Sequence, residues 1–325
     1  MRAIVCSELG PADRLSVQEV PDSRPGLAEV VIDVVAAGLN FPDTLIIEGK
    51  YQVRPDLPFV PGGEASGLVS AVGSDVRGFS VGDEVVAMGV SGAFAEKWAV
   101  DATALLPKPS SLEHRVAAGF GLTYGTSLYA LKQRATLRPG ETLLVLGAAG
   151  GVGSAAVDIG KAMGARVIAA ASTDDKLAYA AGLGADEGIN YTTDDFRKRI
   201  KELTEGRGVD VVYDPVGGDL SEQALRSMAW NGRFLVIGFA TGSIPEIPLN
   251  LPLLKGVSIT GVFWGAWTKR DPAASAANFA ELSAMVDSGV LHPQVSAVYP
   301  LHEYVEAFGA LTGRRAKGKV VLEIT

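Results

Sequence analysis

A glycine-rich segment near the middle of the chain, residues 141–173, constrains the fold more than any other part of the sequence. An apolar run over 142–146 leads into a glycine-rich turn, a stretch with helical periodicity and a second apolar run over 166–170. Strand, turn, helix and strand within about thirty residues are typical of one dinucleotide-binding βαβ unit. The segment therefore predicts a nucleotide site where the turn meets the helix.

The glycines of this turn suit a bound pyrophosphate. Gly150 and Gly151 let the backbone approach phosphates, and Gly153 lets the helix pack close to the strand. Counted back from Gly153, the Gly-X-Gly-X-X-Gly pattern has Ala148 in its first position and Gly147 one place earlier, so we expect a slightly shifted turn. The free N–H groups of the helix start complete the phosphate site. The cofactor-binding residues predicted here are Gly147, Gly150, Gly151, Val152 and Gly153.

The residues after the second strand distinguish between two nicotinamide cofactors. A free ribose 2′-hydroxyl normally meets an acidic residue about 20 residues after the glycines. That position falls at Ala171, followed by Ser172, Thr173 and, one helical turn on, Lys176. Hydroxyls and an ammonium suit a 2′-phosphate, whereas the acids at 174–175 favour NADH unless they only offset the helix dipole. We predict NADPH, bound by Ser172, Thr173 and Lys176.

Composition limits the class of protein. A length of 325 residues suggests two domains, and 47% hydrophobic residues supply ample core. The net charge of −8 and the lack of a basic stripe disfavour nucleic acid, and no apolar run is long enough for a membrane span. The single cysteine, Cys6, excludes an internal disulfide and predicts a reducing, cytoplasmic environment. We expect a small-molecule substrate.

The pattern of predicted secondary structure changes near residue 120. Residues 1–120 are dense in Gly and Pro, with short β-type runs over 29–35, 65–72, 84–88 and 94–100. Strands and helices then alternate to about 262, and six strands with helical crossovers predict an α/β, doubly wound domain with a parallel sheet. A helix over 271–287 follows, and the β run 319–324 is expected to return to the first domain.

The ends of the last two predicted strands supply further candidates. Gly238 and Phe239 end the fifth strand and Phe263 and Trp264 the sixth, at the carboxyl edge where such sheets bind ligands. The aromatic residues could equally belong to the core. The sixth strand, 257–264, is a long apolar edge without charge or proline, which favours pairing with a second copy of the chain. The basic tail containing Lys317 and Lys319 is interpreted as a solvated loop.

Several segments together resemble the medium-chain dehydrogenase/reductase superfamily and, within it, the zinc-free NADPH:quinone oxidoreductases related to zeta-crystallin. They are AAGLNFPDTLIIEGKY (36–51), VPGGEASGLVSAVGSDV (60–76), VGDEVVAM (81–88), GLTYGTSLYAL (121–131), LGAAGGVGSAAVDIGKAMGA (146–165), GINY (188–191) and VDVVYDPVGG (209–218). The resemblance implies a GroES-like catalytic domain over 1–120 and a Rossmann NADPH-binding domain over 121–262. Residues 263–325 would then return to the catalytic domain.

The resemblance also bears on the metal. Where zinc members carry Cys, His and Cys ligands, this chain has Asn40, Gly63 and Phe120, and its three histidines are scattered. Because zinc needs several nitrogen or sulfur ligands, we expect no metal site.

By resemblance, the catalytic candidates are Asn40, Asp43 and Tyr51. Asn40 replaces a metal ligand and is expected to face the nicotinamide. Asp43 could act in catalysis or only cap a helix, and Tyr51 could donate a proton to a carbonyl or simply pack as an amphipathic aromatic. A second family tyrosine is replaced by Leu45, which puts the quinone preference in question.

Thr123 and Tyr191 are further cofactor contacts implied by the resemblance. The predicted activity is zinc-independent hydride transfer from NADPH to a quinone or related conjugated carbonyl, by a homodimer paired through the sheet edge. One alternative is an enone or enoyl-thioester reductase. The other is a structural or regulatory protein that binds NADPH with little turnover.

Overall fold

The computed structural model describes residues 1–324 and divides them into two compact units. Unit 1 contains Met1–Leu122 together with the chain from Pro293 onward, and unit 2 contains Thr123–His292.

The first part of unit 1 is rich in strands, as its short β-type runs predict. Two short helices accompany them, α1 (Phe41–Ile47) and α2 (His114–Ala117), and a third, α3 (Gly121–Leu128), begins at the end of this part. The strands are β1 (Arg2–Val5), β2 (Ser16–Glu19), β3 (Glu29–Leu39), β4 (Glu64–Val72), β5 (Glu84–Met88), β6 (Lys97–Asp101) and β7 (Leu105–Pro107).

Unit 2 contains the predicted six-stranded parallel sheet. Its strands are β8 (Thr142–Leu146), β9 (Arg166–Ala171), β10 (Glu187–Asn190), β11 (Val209–Asp214), β12 (Met228–Val236) and β13 (Ser258–Gly261). They lie in the order β10-β9-β8-β11-β12-β13, and every pair is parallel. This is the strand order of dinucleotide-binding sheets, so the doubly wound fold is confirmed.

Helices connect the strands of unit 2, because parallel neighbours need a crossover. The connecting helices are α4 (Gly151–Ala162), α5 (Asp174–Gly182), α6 (Phe196–Leu203), α7 (Asp219–Arg226) and α8 (Asn250–Lys255). Two more helices, α9 (Trp264–Arg270) and α10 (Pro272–Asp287), follow the last strand. As predicted, Asp271 caps α10 by accepting a hydrogen bond from the Ala274 N–H.

The end of the chain completes the large sheet of unit 1. It forms β14 (Val295–Pro300), α11 (Tyr304–Thr312) and β15 (Lys319–Glu323). β15 pairs antiparallel with β3, which confirms the predicted return of this β run, and β14 adds parallel to β15. The core beneath the sheet contains Ile4, Ile32, Val34, Phe94 and Phe308.

Residues 263–292 belong to unit 2, whereas the sequence analysis grouped them with the return. Two contacts explain why. The rings of Tyr129 and Trp267 stack with centroids 4.2 Å apart, and Gln133 Nε2 donates to Asn278 Oδ1 at 2.8 Å, so α9 and α10 stay with the segment after α3. The return therefore begins at Pro293.

The sixth strand is shorter than the apolar run 257–264 indicates. Its partner β12 ends at Val236, so the ladder ends at the pair Val236 and Gly261. The chain then turns into α9 at Trp264. Within residues 1–324 no helix combines the length and apolar character that crossing a bilayer requires.

Candidate active site

The carboxyl edge of the parallel sheet brings the predicted cofactor residues together. Leu146 pairs with Ala170, and Ala171 pairs with Asn190, so the first three strands end side by side. Asp214 likewise pairs with Val236 at the end of β12. The segments that follow these strands line this edge. They contain Gly147, Gly150, Gly151, Val152, Gly153, Ser172, Thr173, Tyr191, Gly238 and Phe239.

The glycine-rich turn has the shape that a pyrophosphate needs. Gly147 adopts a φ of 59°, and its carbonyl accepts the Gly150 N–H at 2.9 Å, which is the shifted turn expected from the sequence. A Cβ on Gly150 would meet only the Gly147 oxygen, at 3.4 Å. The N-terminus of α4 therefore offers its N–H groups without side chains in the way, and a dinucleotide phosphate fits there.

Gly153 is required by a second feature of this turn. A Cβ there would lie 2.9 Å from the Gly147 carbonyl carbon and closer still to its oxygen. Both are backbone atoms, so no side chain could move aside.

Two buried hydroxyl groups hold the first turn of α4, and the sequence analysis missed both. Ser127 Oγ donates to the Val152 carbonyl at 3.0 Å and lies 2.9 Å from Tyr213 Oη. Ser127 and Tyr213 are fully buried. The signal in the sequence was a phenol within the apolar run of β11, because a buried tyrosine hydroxyl needs a partner.

The predicted 2′-phosphate residues converge at the end of β9. Lys176 Nζ donates to Ser172 Oγ at 3.3 Å, and Thr173 Oγ1 caps α5 by accepting the Lys176 N–H at 3.3 Å. The Tyr191 N–H donates to the Ala171 carbonyl at 3.1 Å. An ammonium and two hydroxyls can therefore meet one phosphate.

The carboxylate of Asp174 is tied to the end of β10. Its Oδ1 accepts a hydrogen bond from Asn190 Nδ2 at 2.8 Å. Thr192 donates both its N–H and its hydroxyl to Asn190 Oδ1, at 3.2 Å and 2.6 Å, which fixes the buried amide. Sequence reasoning found the acid but not the asparagine that holds it.

The remaining candidates of unit 2 have different environments. Thr123 is buried, and Phe239 packs against Gly217, where a Cβ would lie 3.0 Å from the ring. Trp264 packs against α3, since a Cβ on Gly125 would lie 2.6 Å from its indole, whereas Phe263 is 60% exposed.

Unit 1 contains a separate polar cluster at the end of β3. Asn40 is the N-cap of α1, and Asp43 Oδ2 accepts the Asn40 N–H at 2.7 Å, so the capping role considered for Asp43 is present. Both side chains are buried. Tyr51, just beyond α1, is partly buried against the core.

Lys319 belongs to this cluster, and its interpretation as part of a solvated loop was wrong. It is 5% exposed, and its Nζ donates to Asn40 Oδ1 at 2.5 Å and to Glu64 Oε2 at 2.9 Å. The pairing of β15 with β3 carries it inward. Glu64, fully buried, was also missed, although a carboxylate within the apolar GGEASG stretch was a signal.

Burial is the largest influence on the pKa values of two members of the cluster, Asp43 and Tyr51. It raises the pKa of Asp43 to about 7, against the lowering effects of the Asn40 N–H and the Lys319 ammonium, and the charge of Glu64 adds to the rise. Burial, with Asp43 nearby, also raises the pKa of Tyr51. Tyr51 is therefore a neutral phenol that can donate a hydrogen bond.

The positions that resemble zinc-ligand positions offer no donor set. A Cβ on Gly63 would lie 2.9 Å from the Gly89 carbonyl oxygen, and Phe120 is fully buried. Across the described chain, no group of three or more His, Cys, Asp or Glu side chains could hold a metal ion.

Known protein families match segments of both units. The alcohol dehydrogenase GroES-like domain family matches residues 26–110, and the zinc-binding dehydrogenase family matches residues 151–281. Quinone oxidoreductase-like protein 2 homolog of Nematostella vectensis is 41% identical and aligns with 99% of this chain and 88% of its own length. The chain belongs to the quinone oxidoreductase family of the medium-chain dehydrogenase/reductase superfamily.

Solved structures point the same way. Quinone oxidoreductase of Escherichia coli, complexed with NADPH, is 31% identical with a TM-score of 0.92, and both chains are fully covered. A mycobacterial protein complexed with NADPH is 34% identical with a TM-score of 0.94, again over both full chains. The protein is thus an enzyme of the medium-chain reductase type with NADPH as cofactor, as predicted.

Proposed function

We propose that this enzyme reduces a quinone or a related conjugated carbonyl compound with NADPH and without zinc. The observation that carries the proposal is the cluster of Asn40, Asp43 and Tyr51, which offers a neutral phenol where metal-dependent relatives would place a zinc site. Bound NADPH supplies a hydride to the acceptor. Charge then develops on the acceptor's carbonyl oxygen and needs a hydrogen-bond donor placed in advance. Tyr51 is that donor.

The residues of unit 2 bind the cofactor in this proposal. The N-terminus of α4 with its glycines holds the pyrophosphate, and Ser172, Thr173 and Lys176 hold the 2′-phosphate. Thr123, Tyr191, Gly238, Phe239, Phe263 and Trp264 are proposed as further contacts. Lys176 Nζ lies 3.3 Å from Ser172 Oγ, and this proximity supports the proposal that both bind the 2′-phosphate.

A second acceptor class has one observation in its favour. Leu45, half-buried in α1, replaces a second tyrosine expected from the resemblance, which leaves a more apolar environment for an enone or enoyl thioester. NADPH oxidation with 1,4-quinones, short enones and enoyl thioesters distinguishes the classes. We expect the highest kcat/KM with quinones, and Tyr51→Phe should lower kcat by about tenfold or more.

Two results would count against the proposal. Faster turnover of enones than quinones would contradict the quinone preference and favour the reductase alternative. NADPH binding without turnover of any acceptor would favour a structural or regulatory protein.

We also propose that the enzyme is a homodimer paired through β13. That strand pairs only with β12 among the described strands, and Ile259 on it is 42% exposed. The preceding helix α8 exposes Leu253 and Leu254 by 76% and 70%. A second copy across a twofold axis would cover this apolar edge and extend the sheet. The single cysteine supports a cytoplasmic location.

A further inference from the structure

A buried ion pair lies beside the candidate catalytic residues of unit 1. The fully buried Glu64 accepts a hydrogen bond from Lys319 Nζ at 2.9 Å, across 255 positions of sequence. Its other oxygen, Oε1, accepts the Leu122 N–H at 2.8 Å. Burying two charges costs several kcal/mol for each ion unless hydrogen bonds compensate. Such a pair is weak evidence for stability, which raises the question of what else it does.

The surrounding backbone is shaped to admit the lysine. A Cβ on Gly119 would lie 3.2 Å from Cβ and Cδ of Lys319 and closer to its Cγ. A Cβ on Gly38 would lie nearest the Ala118 carbonyl oxygen, and also 2.9 Å from Lys319 Cε and 3.0 Å from Glu64 Oε2. Two glycines on separate segments therefore leave room for the lysine side chain beside Glu64.

The pair fixes the orientation of the Asn40 amide. Asn40 Nδ2 donates one hydrogen to Glu64 Oε2 at 3.1 Å and the other to the Gly38 carbonyl at 3.3 Å. Asn40 Oδ1 accepts from Lys319. An amide has two hydrogens and two oxygen lone pairs, so both hydrogens and at least one lone pair are already used. Asn40 therefore has no hydrogen left to donate, and toward any further group its amide can act only as an acceptor.

The same pair places opposite charges near Asp43. Asp43 Oδ2 accepts the Asn40 N–H at 2.7 Å, and the side chain of the same Asn40 contacts both Lys319 Nζ and Glu64 Oε2. The charges that act on the Asp43 carboxyl are therefore those of Lys319 from β15 and Glu64 from β4, and Tyr51 lies close to it. The ammonium favours the ionised carboxyl, whereas the second carboxylate disfavours it. The two effects oppose each other.

We propose that Lys319 and Glu64 are positioning residues for the proposed reaction. They hold Asn40 as an acceptor toward an N–H or O–H group of a bound molecule, and they balance the charge around Asp43. The role of this pair in catalysis rests on the proposed function. The orientation of the Asn40 amide and the titration of Asp43 can be tested without any acceptor.

The orientation of the amide is tested by a rescue experiment. Asn40→Asp replaces the nitrogen by an oxygen that faces Glu64 and the Gly38 carbonyl, so it should lower the thermal unfolding midpoint of the full-length protein. Glu64→Gln should restore part of that loss, because its amide nitrogen can donate to the new carboxylate, which in turn accepts from Lys319 in place of Glu64 Oε2. Asn40→Leu is the matched control, since it has no oxygen to accept and should gain nothing from Glu64→Gln. Failure of Glu64→Gln to rescue Asn40→Asp would overturn the assignment.

The charge balance is tested by titration of Asp43. Lys319→Met should move the transition to higher pH and Glu64→Gln should move it to lower pH, each by on the order of one unit. The double variant should titrate near the wild type. The transition is followed by infrared absorption of the carboxyl group, with Asp43→Asn as the reference, and by the pH profile of kcat.

The outcomes distinguish a failure of the proposed function from a failure of the positioning role proposed for Lys319 and Glu64. Opposite infrared shifts without reduction of any acceptor would refute the proposed function and leave the positioning pair standing. Turnover with no shift, or with shifts in the same direction, would overturn the pair, because a purely structural loss has no reason to change sign with charge. If Lys319→Met does not fold, Glu64→Gln alone tests the charge balance. In that case only a shift of the Asp43 transition to lower pH supports the positioning role of the pair.

Discussion

Replacing Gly153 by alanine tests the geometry of the glycine-rich turn. The added Cβ would lie 2.9 Å from the Gly147 carbonyl carbon and closer to its oxygen, whereas ordinary contact begins at about 3.4 Å. Because both atoms are backbone, relief requires the turn and the start of α4 to separate by about an ångström. Overpacking of this kind costs about 1–3 kcal/mol.

NADPH binding should weaken as the free energy of unfolding falls. The separation moves the N–H groups of α4 away from the pyrophosphate, so we expect Gly153→Ala to weaken NADPH binding by about tenfold or more, or 1.4 kcal/mol. Urea unfolding and NADPH titration by fluorescence measure the two effects.

Gly182→Ala is the matched control. This glycine ends α5, and a Cβ there would meet nothing within 4 Å. The same substitution should therefore stabilise the protein by about 0.4–1 kcal/mol and leave NADPH binding unchanged. The reasoning is refuted if Gly153→Ala binds NADPH as tightly as the wild type and unfolds at the same urea concentration.

Four further predictions concern the cofactor, the metal, the assembly and the buried acid. NADPH should bind at least about tenfold more tightly than NADH, and Lys176→Ala should remove most of this preference in titrations, whereas equal wild-type dissociation constants would contradict it. Activity should survive prolonged chelator treatment, and one zinc per chain by elemental analysis would contradict zinc independence. Ile259→Lys should give monomer or aggregate in sedimentation, and a wild-type monomer at micromolar concentration would exclude the dimer; Val262, the residue directly after β13, is buried and unsuitable for the same test. The pKa of Asp43, about 7 against an ordinary value of 3.8, means that the folded state keeps this proton to higher pH. Its unfolding free energy should therefore fall between about pH 4 and 7, and Asp43→Asn should remove that fall, as urea unfolding at each pH would show.

The fold of unit 2, with the strand ends that carry the proposed cofactor site, could be predicted from sequence because its information is local. The glycines, the flanking apolar runs and the hydroxyls after β9 lie within one continuous segment, and parallel strands align their carboxyl ends without further information. The contacts that could not be predicted there join residues that are distant in the sequence. Asn190 holding Asp174 and Ser127 holding Val152 are examples.

The cluster of unit 1 shows the same limit more strongly. Asn40, Glu64 and Lys319 come from three strand ends, and the lysine is 279 positions from the asparagine that it contacts. Read locally, a lysine in a basic, glycine-containing tail is most often solvated, since an unpaired ammonium is almost never buried. The burial becomes intelligible only when β15 pairs with β3 and brings the ammonium to a carboxylate that also lacks water. Each charge makes the other tolerable in the interior, so neither could have been placed there from its own surroundings in the sequence. A resemblance carried by the segment around Asn40 therefore identifies the residues proposed for the chemistry but not the pair proposed to orient them.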